Sequence, residues 1–275
     1  MASPHVEVSA HSDAFEQRLR ERERLRNRPL EMVPEPATAQ PHGSIPNTPL
    51  AVSTVSFLLG ATFALGSLTF LCGGFYGFWF ATYQVGFFVA SWSAFHWGEF
   101  AVTAGWNREK VSIDSFLLDN GRMYHVANGL ALTEYLLSLY FRPSLKSFPY
   151  VSSLGVVVVL FGQFLRSAAM IKASSNFSHM VAFRKLAGHQ LVTDGIYKWS
   201  RHPSYAGFFY WALGTQLVLQ NPLSFFVYWA LLMQFFSSRI KGKPFLTSNR
   251  ALVSFFGNDY DLYRKRVGTK IPFIP

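Results

Sequence analysis

The residues best equipped for chemistry in this 275-residue chain lie where polar runs meet apolar ones. Gly195-Ile-Tyr-Lys-Trp-Ser-Arg-His-Pro-Ser-Tyr205 gathers charged, hydroxyl and aromatic groups immediately before an apolar stretch. Proline is well tolerated in a first helical turn, where free backbone N–H groups and the positive end of the dipole can receive a carboxylate. His202, Pro203, Ser204 and Tyr205 therefore make a candidate site for a charged small molecule at a membrane surface. The plainer alternative is a set of ordinary interfacial aromatics at a helix start.

Two arginines and one acid stand out beside this run. Arg166 lies within an apolar stretch, near its end. Such a residue either snorkels to the interface or uses its planar fork to hold a carboxylate, from a substrate or from a neighbouring acid. Arg239 closes the last apolar stretch, a common place for a cytosolic anchor. Glu99 and His96 sit in Phe95-His-Trp-Gly-Glu-Phe100, also within an apolar stretch. Membrane acids usually face the bundle interior, with Asn176 and His179 as candidate partners. The lone cysteine, Cys72, excludes an intramolecular disulfide or a Cys-based metal cluster, and neither a Walker loop nor a GxGxxG fingerprint is present.

These side chains need elements to carry them, and composition says which. Half of the residues are apolar and 17% are aromatic, while the charges gather between long apolar stretches. Six stretches are expected to span, at about 50–71, 74–104, 125–140, 148–171, 203–220 and 223–238. The fifth and sixth are joined only by Asn221-Pro222, which requires a tight hairpin. With a cytosolic amino terminus, 22 of the 25 Lys and Arg residues fall in cytosolic segments, so both termini are expected there. The same bias explains the +10 net charge without a nucleic-acid partner. Residues 1–49, with a run of mixed charge and then Pro34, Pro36, Pro41, Pro46 and Pro49, read as a disordered cytosolic tail. The bundle follows over 50–238, including a loop at 172–202, and 239–275 forms a cytosolic carboxy-terminal segment.

Ordered blocks from about Phe95 to Pro275 carry a resemblance: SFLL, LRxAAM, SNFSH, LVTDGIY, SRHPSYAGFFYWALGTQ and the terminal FFGNDYDLYRKRVGTKIPFI. In these the chain resembles the isoprenylcysteine carboxyl methyltransferases of the endoplasmic reticulum membrane, in the six-span fungal layout. The resemblance implies an all-α polytopic transmembrane bundle whose cytosolic cofactor pocket is formed by the last loop and the carboxy-terminal segment. It implies protein-S-isoprenylcysteine carboxyl O-methyltransferase activity, using S-adenosyl-L-methionine. The acceptors would be prenylated CaaX-processed proteins, such as small GTPases and lipidated pheromone-like peptides. By the same resemblance, Arg166 and Arg239 are catalytic and Arg239 contacts the substrate. The cofactor-binding set is Ala182, His189, Gln190, Leu191, Val192, Tyr197, His202, Pro203, Ser204 and Tyr205, and no metal is implied.

One segment departs from the family pattern. After the last-span arginine the family has Arg-x-x-x-Glu-Glu-x-x-Leu, whereas here Arg239-Ile-Lys-Gly-Lys-Pro-Phe-Leu-Thr-Ser-Asn-Arg-Ala-Leu252 stands in its place. Counting back from Phe255-Phe256 puts Ser248 and Asn249 where the acidic pair belongs. Two other readings stay open on the sequence. One is a different membrane methyltransferase, such as one acting on phospholipid amines; the other is an inactive membrane-binding or scaffold protein.

Overall fold

The computed structural model describes residues 43, 45–179, 189–241 and 248–274. Eight α-helices are present among them: α1 Pro49–Leu71, α2 Tyr83–Trp106, α3 Arg122–Phe141, α4 Val151–Ala173, α5 Pro203–Val218, α6 Pro222–Lys241, α7 Ser248–Phe256 and α8 Asn258–Arg266. No strand occurs among the described residues, only two isolated bridges, so the all-α expectation holds. Helices α1, α4 and α6 are long and apolar enough to cross a membrane. On α1 the apolar residues ring the whole circumference, and Leu50, Phe57, Leu58, Phe63 and Leu68 are exposed, as a lipid-facing helix requires.

The expected stretches match α1 and α3–α6 to within a few residues, but α2 begins at Tyr83 rather than at residue 74. Gly73 and Gly74 adopt φ of 74° and 115°, a region open to glycine, and turn the chain after α1. Thr82 then caps α2 by accepting from the Val85 N–H at 3.3 Å. At the amino-terminal side, Thr48 caps α1 and Asn47 Oδ1 accepts from Ile113 N at 2.9 Å, which ties the start of α1 to the α2–α3 connection.

Helix α5 packs along α4 at backbone contact. A Cβ on Gly162 would lie 2.4 Å from Trp211 N, and one on Gly207 would lie 2.6 Å from Arg166 N. Glycines at both positions let the two backbones touch, and this brings Arg166 on α4 against the first turn of α5. The Asn221-Pro222 hairpin is bolted to its surroundings. Lys146 Nζ donates to the Gln220 carbonyl at 3.0 Å and to Asn221 Oδ1 at 2.7 Å. Glu134 of α3 accepts from Leu223 N and Ser224 N at 3.0 and 2.6 Å, so a carboxylate from another helix caps α6 at its positive end. Burial lowers the Lys146 pKa to about 8.

The carboxy-terminal segment folds back on the loop before α5. Ser200 Oγ donates to the Thr269 carbonyl at 2.7 Å, Arg201 N to Gly268 at 3.0 Å, and Tyr263 OH to the Tyr197 carbonyl at 2.6 Å.

Candidate active site

The first turn of α5 is the centre of the site. His202 precedes the helix with φ −130°, Pro203 opens it, and Pro203 and Ser204 are buried. The His202 and Tyr205 rings stack, with centroids 5.3 Å apart and planes 14° apart. His202 Nε2 lies 3.3 Å from Asn249 Oδ1, which also accepts from Tyr260 OH at 2.6 Å. Asn249, one of the two positions that counting gave to the family's acidic pair, thus sits beside His202. Burial holds the His202 imidazole down at about pKa 4, so it is neutral at physiological pH. The polar edge of the ring therefore offers a hydrogen-bonding group that does not repel a cationic ligand.

The fork of Arg166 is met by a neighbouring acid. Its Nε and Nη2 form a bidentate pair with the Glu99 carboxylate, the Nη2–Oε2 contact being 2.7 Å. Its remaining nitrogen, Nη1, donates to the Ser204 carbonyl and hydroxyl at 3.3 and 3.2 Å. Both partners are buried, with Glu99 1% exposed. Leaving either charge alone there would be costly, so the pair fixes the plane of the guanidinium against α5. His96 belongs to a separate polar network, between the Phe116 carbonyl at 2.7 Å and Tyr124 OH at 2.8 Å.

The loop residues approach from two sides. Tyr197 OH donates to the Ala169 carbonyl at 3.3 Å, within one turn of Arg166 on α4, and burial raises its pKa. Gln190 N donates to Asn176 Oδ1 at 2.7 Å. The His189 ring lies 5.8 Å from those of Phe255 and Phe256 on α7, and Leu191 and Val192 are half-buried. Ala182 lies outside the described residues. Arg239 donates from Nη1 to the His179 carbonyl at 3.2 Å and lies over the Phe235 ring at 4.6 Å. The carboxy-terminal segment thus meets the loop through Tyr263, Asn249, Phe255 and Phe256.

Comparison with known proteins gives the family. Residues 154–267 match the isoprenylcysteine carboxyl methyltransferase (ICMT) family. A protein-S-isoprenylcysteine O-methyltransferase of Saccharomyces cerevisiae is 44% identical over 186 residues, which cover 66% of this chain and 76% of that protein. The chain belongs to the isoprenylcysteine carboxyl methyltransferase family. The human protein-S-isoprenylcysteine O-methyltransferase is 43% identical, the match covering 66% of this chain and 62% of that protein, or less than two thirds of its length. A solved structure of a eukaryotic intramembrane Ras methyltransferase, ICMT, superposes with a TM-score of 0.75 at 36% identity, covering 81% of this chain and 76% of that one.

Membership places every expected site residue inside the matched region, whereas Glu99 lies before it. Glu99, His179 and Asn249 are site neighbours outside the expected catalytic and cofactor-binding set, although the sequence already offered His179 as a partner of Glu99, and its Nδ1 lies 3.6 Å from Glu99 Oε2. A sequence signal existed for the first: an acid within an apolar stretch must find a cation, and Arg166 lies within another such stretch. Asn249 carried only a positional clue, as an amide where the family has a carboxylate.

Proposed function

We propose that this chain esterifies the carboxylate of a carboxy-terminal prenylated cysteine with a methyl group taken from S-adenosylmethionine, at the cytosolic face of the endoplasmic reticulum membrane. The observation that carries this reading is the buried Arg166–Glu99 pair held against the first turn of α5 in a family-typical bundle. When bound, S-adenosylmethionine supplies an electrophilic methyl group on a positively charged sulfur. The residues present suit such a molecule. The stacked His202 and Tyr205 rings offer a flat surface, and at the α5 amino terminus Tyr205 N and Ala206 N are held by the His202 carbonyl at 3.0 Å each, which fixes those rings at the helix start.

The acceptor carboxylate is ionised at neutral pH and needs no general base. The protein's task is to hold it, strip its water and align it. Arg166 and Arg239 supply positive charge for that task, and Glu99 keeps Arg166 in one orientation. The prenyl chain stays in the bilayer. Moving roughly 15 to 20 prenyl carbons out of it would cost about 0.8 kcal/mol per methylene-sized group, so lateral entry between helices is favoured. Proteins processed at a CaaX motif, small GTPases and lipidated peptides among them, present this terminus.

Membranes containing the chain should methylate N-acetyl-S-farnesylcysteine and not its unprenylated analogue. Equal turnover of the two would overturn the prenyl site. Absence of turnover on both, recovered by Ser248→Glu with Asn249→Glu, would assign the defect to cofactor binding. Absence that this double change leaves untouched would sink the enzymatic reading.

A further inference from the structure

We propose that His179 is a positioning residue that couples Arg239 to the buried Glu99–Arg166 pair, so that the two guanidinium groups are set as one unit. The inference rests on the methyl-transfer reading for its kinetic arm only.

The geometry begins at Glu99. Its carboxylate serves the Arg166 fork, and Oε2 also lies 3.6 Å from His179 Nδ1. That distance is an electrostatic contact rather than a full hydrogen bond. The other ring nitrogen of His179 lies 3.5 Å from Thr103 Oγ1, whose hydroxyl donates to the Glu99 carbonyl at 2.8 Å. Glu99 and Thr103 are four residues apart on α2 and so share a face, which places the His179 ring between them. Burial keeps this ring neutral, with a pKa of about 4, so it carries a single N–H, which we assign to Nδ1, the nitrogen facing the carboxylate.

The backbone of the same residue holds the second arginine, its carbonyl accepting from Arg239 Nη1 at 3.2 Å. Just before it, the Phe177 carbonyl accepts from Asn107 Nδ2 at 3.0 Å and from Lys110 Nζ at 2.8 Å. The chain reaches His179 along a segment stapled to the end of α2, and the ring decides where the next carbonyl points. Arg166 has its own anchor in Glu99, whereas among the described residues Arg239 is linked to that acid through His179. Loss of the imidazole therefore releases Arg239 and spares Arg166. A general packing defect would damage both substrates' binding. Release of Arg239 alone weakens the prenylcysteine and leaves the methyl donor untouched.

The test uses the full chain in membranes, with His179→Ala and His179→Asn, the latter retaining an N–H near the Nδ1 position. We expect His179→Ala to raise KM for N-acetyl-S-farnesylcysteine by about tenfold while the S-adenosylmethionine Kd stays within about twofold. His179→Asn should recover most of the loss, and His179→Ala should add less than about twofold in an Arg239→Lys background. An unchanged KM, parallel losses for both substrates, no recovery with Asn, or fully multiplicative effects would each overturn the proposal. Thermal unfolding gives an arm independent of turnover: the shifts from His179→Ala and Arg239→Lys should combine to less than their sum, and additive shifts would remove the contact. A natural chain without turnover on the farnesylated compound counts against the functional reading, and the thermal arm then decides His179.

Discussion

At the scale of single residues, the site relies on charges that are paired and on imidazoles that are not charged. His202 and His179 both have pKa values pushed to about 4 by burial, against an ordinary value of 6.5. An unfolded chain binds protons at these positions from about pH 6.5 downward, and the folded chain does so only near pH 4. Stability is therefore retained above pH 6.5 and falls as the pH drops from 6.5 towards 4. The melting temperature of the detergent-solubilised protein should decrease over that interval, and the slope should flatten in His202→Asn. An equal slope in the variant would show that His202 is not held neutral by its surroundings. The two arginines differ in legibility for the same electrostatic reason. Arg166 was marked as unusual by its place within an apolar stretch, but its fork partner is 67 positions earlier in the chain, on another helix. Only the fold shows that Glu99 and Ser204 divide its donors between them.

At the scale of elements, apolar length located α1, α3, α4, α5 and α6, because each is bounded by charge clusters, prolines or glycines. The start of α2 was less legible. Residues 74–82 are as apolar as a helix, and only the backbone freedom of Gly73 and Gly74 separates them from one. The α4–α5 contact was also hidden, since a glycine in an apolar stretch does not announce what approaches it. Gly207 and Gly162, with Gly155 and Gly214 further along, are positions where the backbones meet, and the approach at Gly207 sets the reach of Arg166 Nη1 to Ser204. Gly207→Val should force α4 and α5 apart, costing about 1–3 kcal/mol by overpacking and lowering turnover at least tenfold. Gly60→Ala is the matched control, because nothing lies within 4 Å of the added Cβ on α1. Thermal unfolding and methyl-transfer rates of the two variants check this directly. A Gly207→Val protein with natural activity would mean that the close contact does not position Arg166.

At the scale of the whole molecule, the connections sort into two ends. Gln84 at the start of α2 donates to the Lys146 carbonyl at 3.0 Å, and Lys146 in turn holds Gln220 and Asn221, so three connections gather at one end. At the other end Ser174 reaches the Trp106 carbonyl at 2.6 Å, Arg239 reaches His179, and Tyr263 reaches Tyr197. The six long helices therefore alternate in direction, although only α1, α4 and α6 are long and apolar enough to cross a membrane by their own composition. We propose that the end carrying α7, α8 and the α4–α5 loop is cytosolic, on the strength of the 22 Lys and Arg residues assigned to that side. A methyl donor made in the cytosol then reaches the site without crossing the bilayer, while the prenyl group arrives from within it. Lys270 is exposed at this end, and Cys72 is exposed at the end of α1, on the opposite side. In sealed microsomes, Lys270→Cys in a Cys72→Ser background should react with an impermeant maleimide added outside. The natural Cys72 should react only after the lumen is opened. Reaction of Cys72 in sealed vesicles with protection of Lys270→Cys would invert the orientation, and equal reactivity of both would place the two ends on one side and overturn the alternation of the helices.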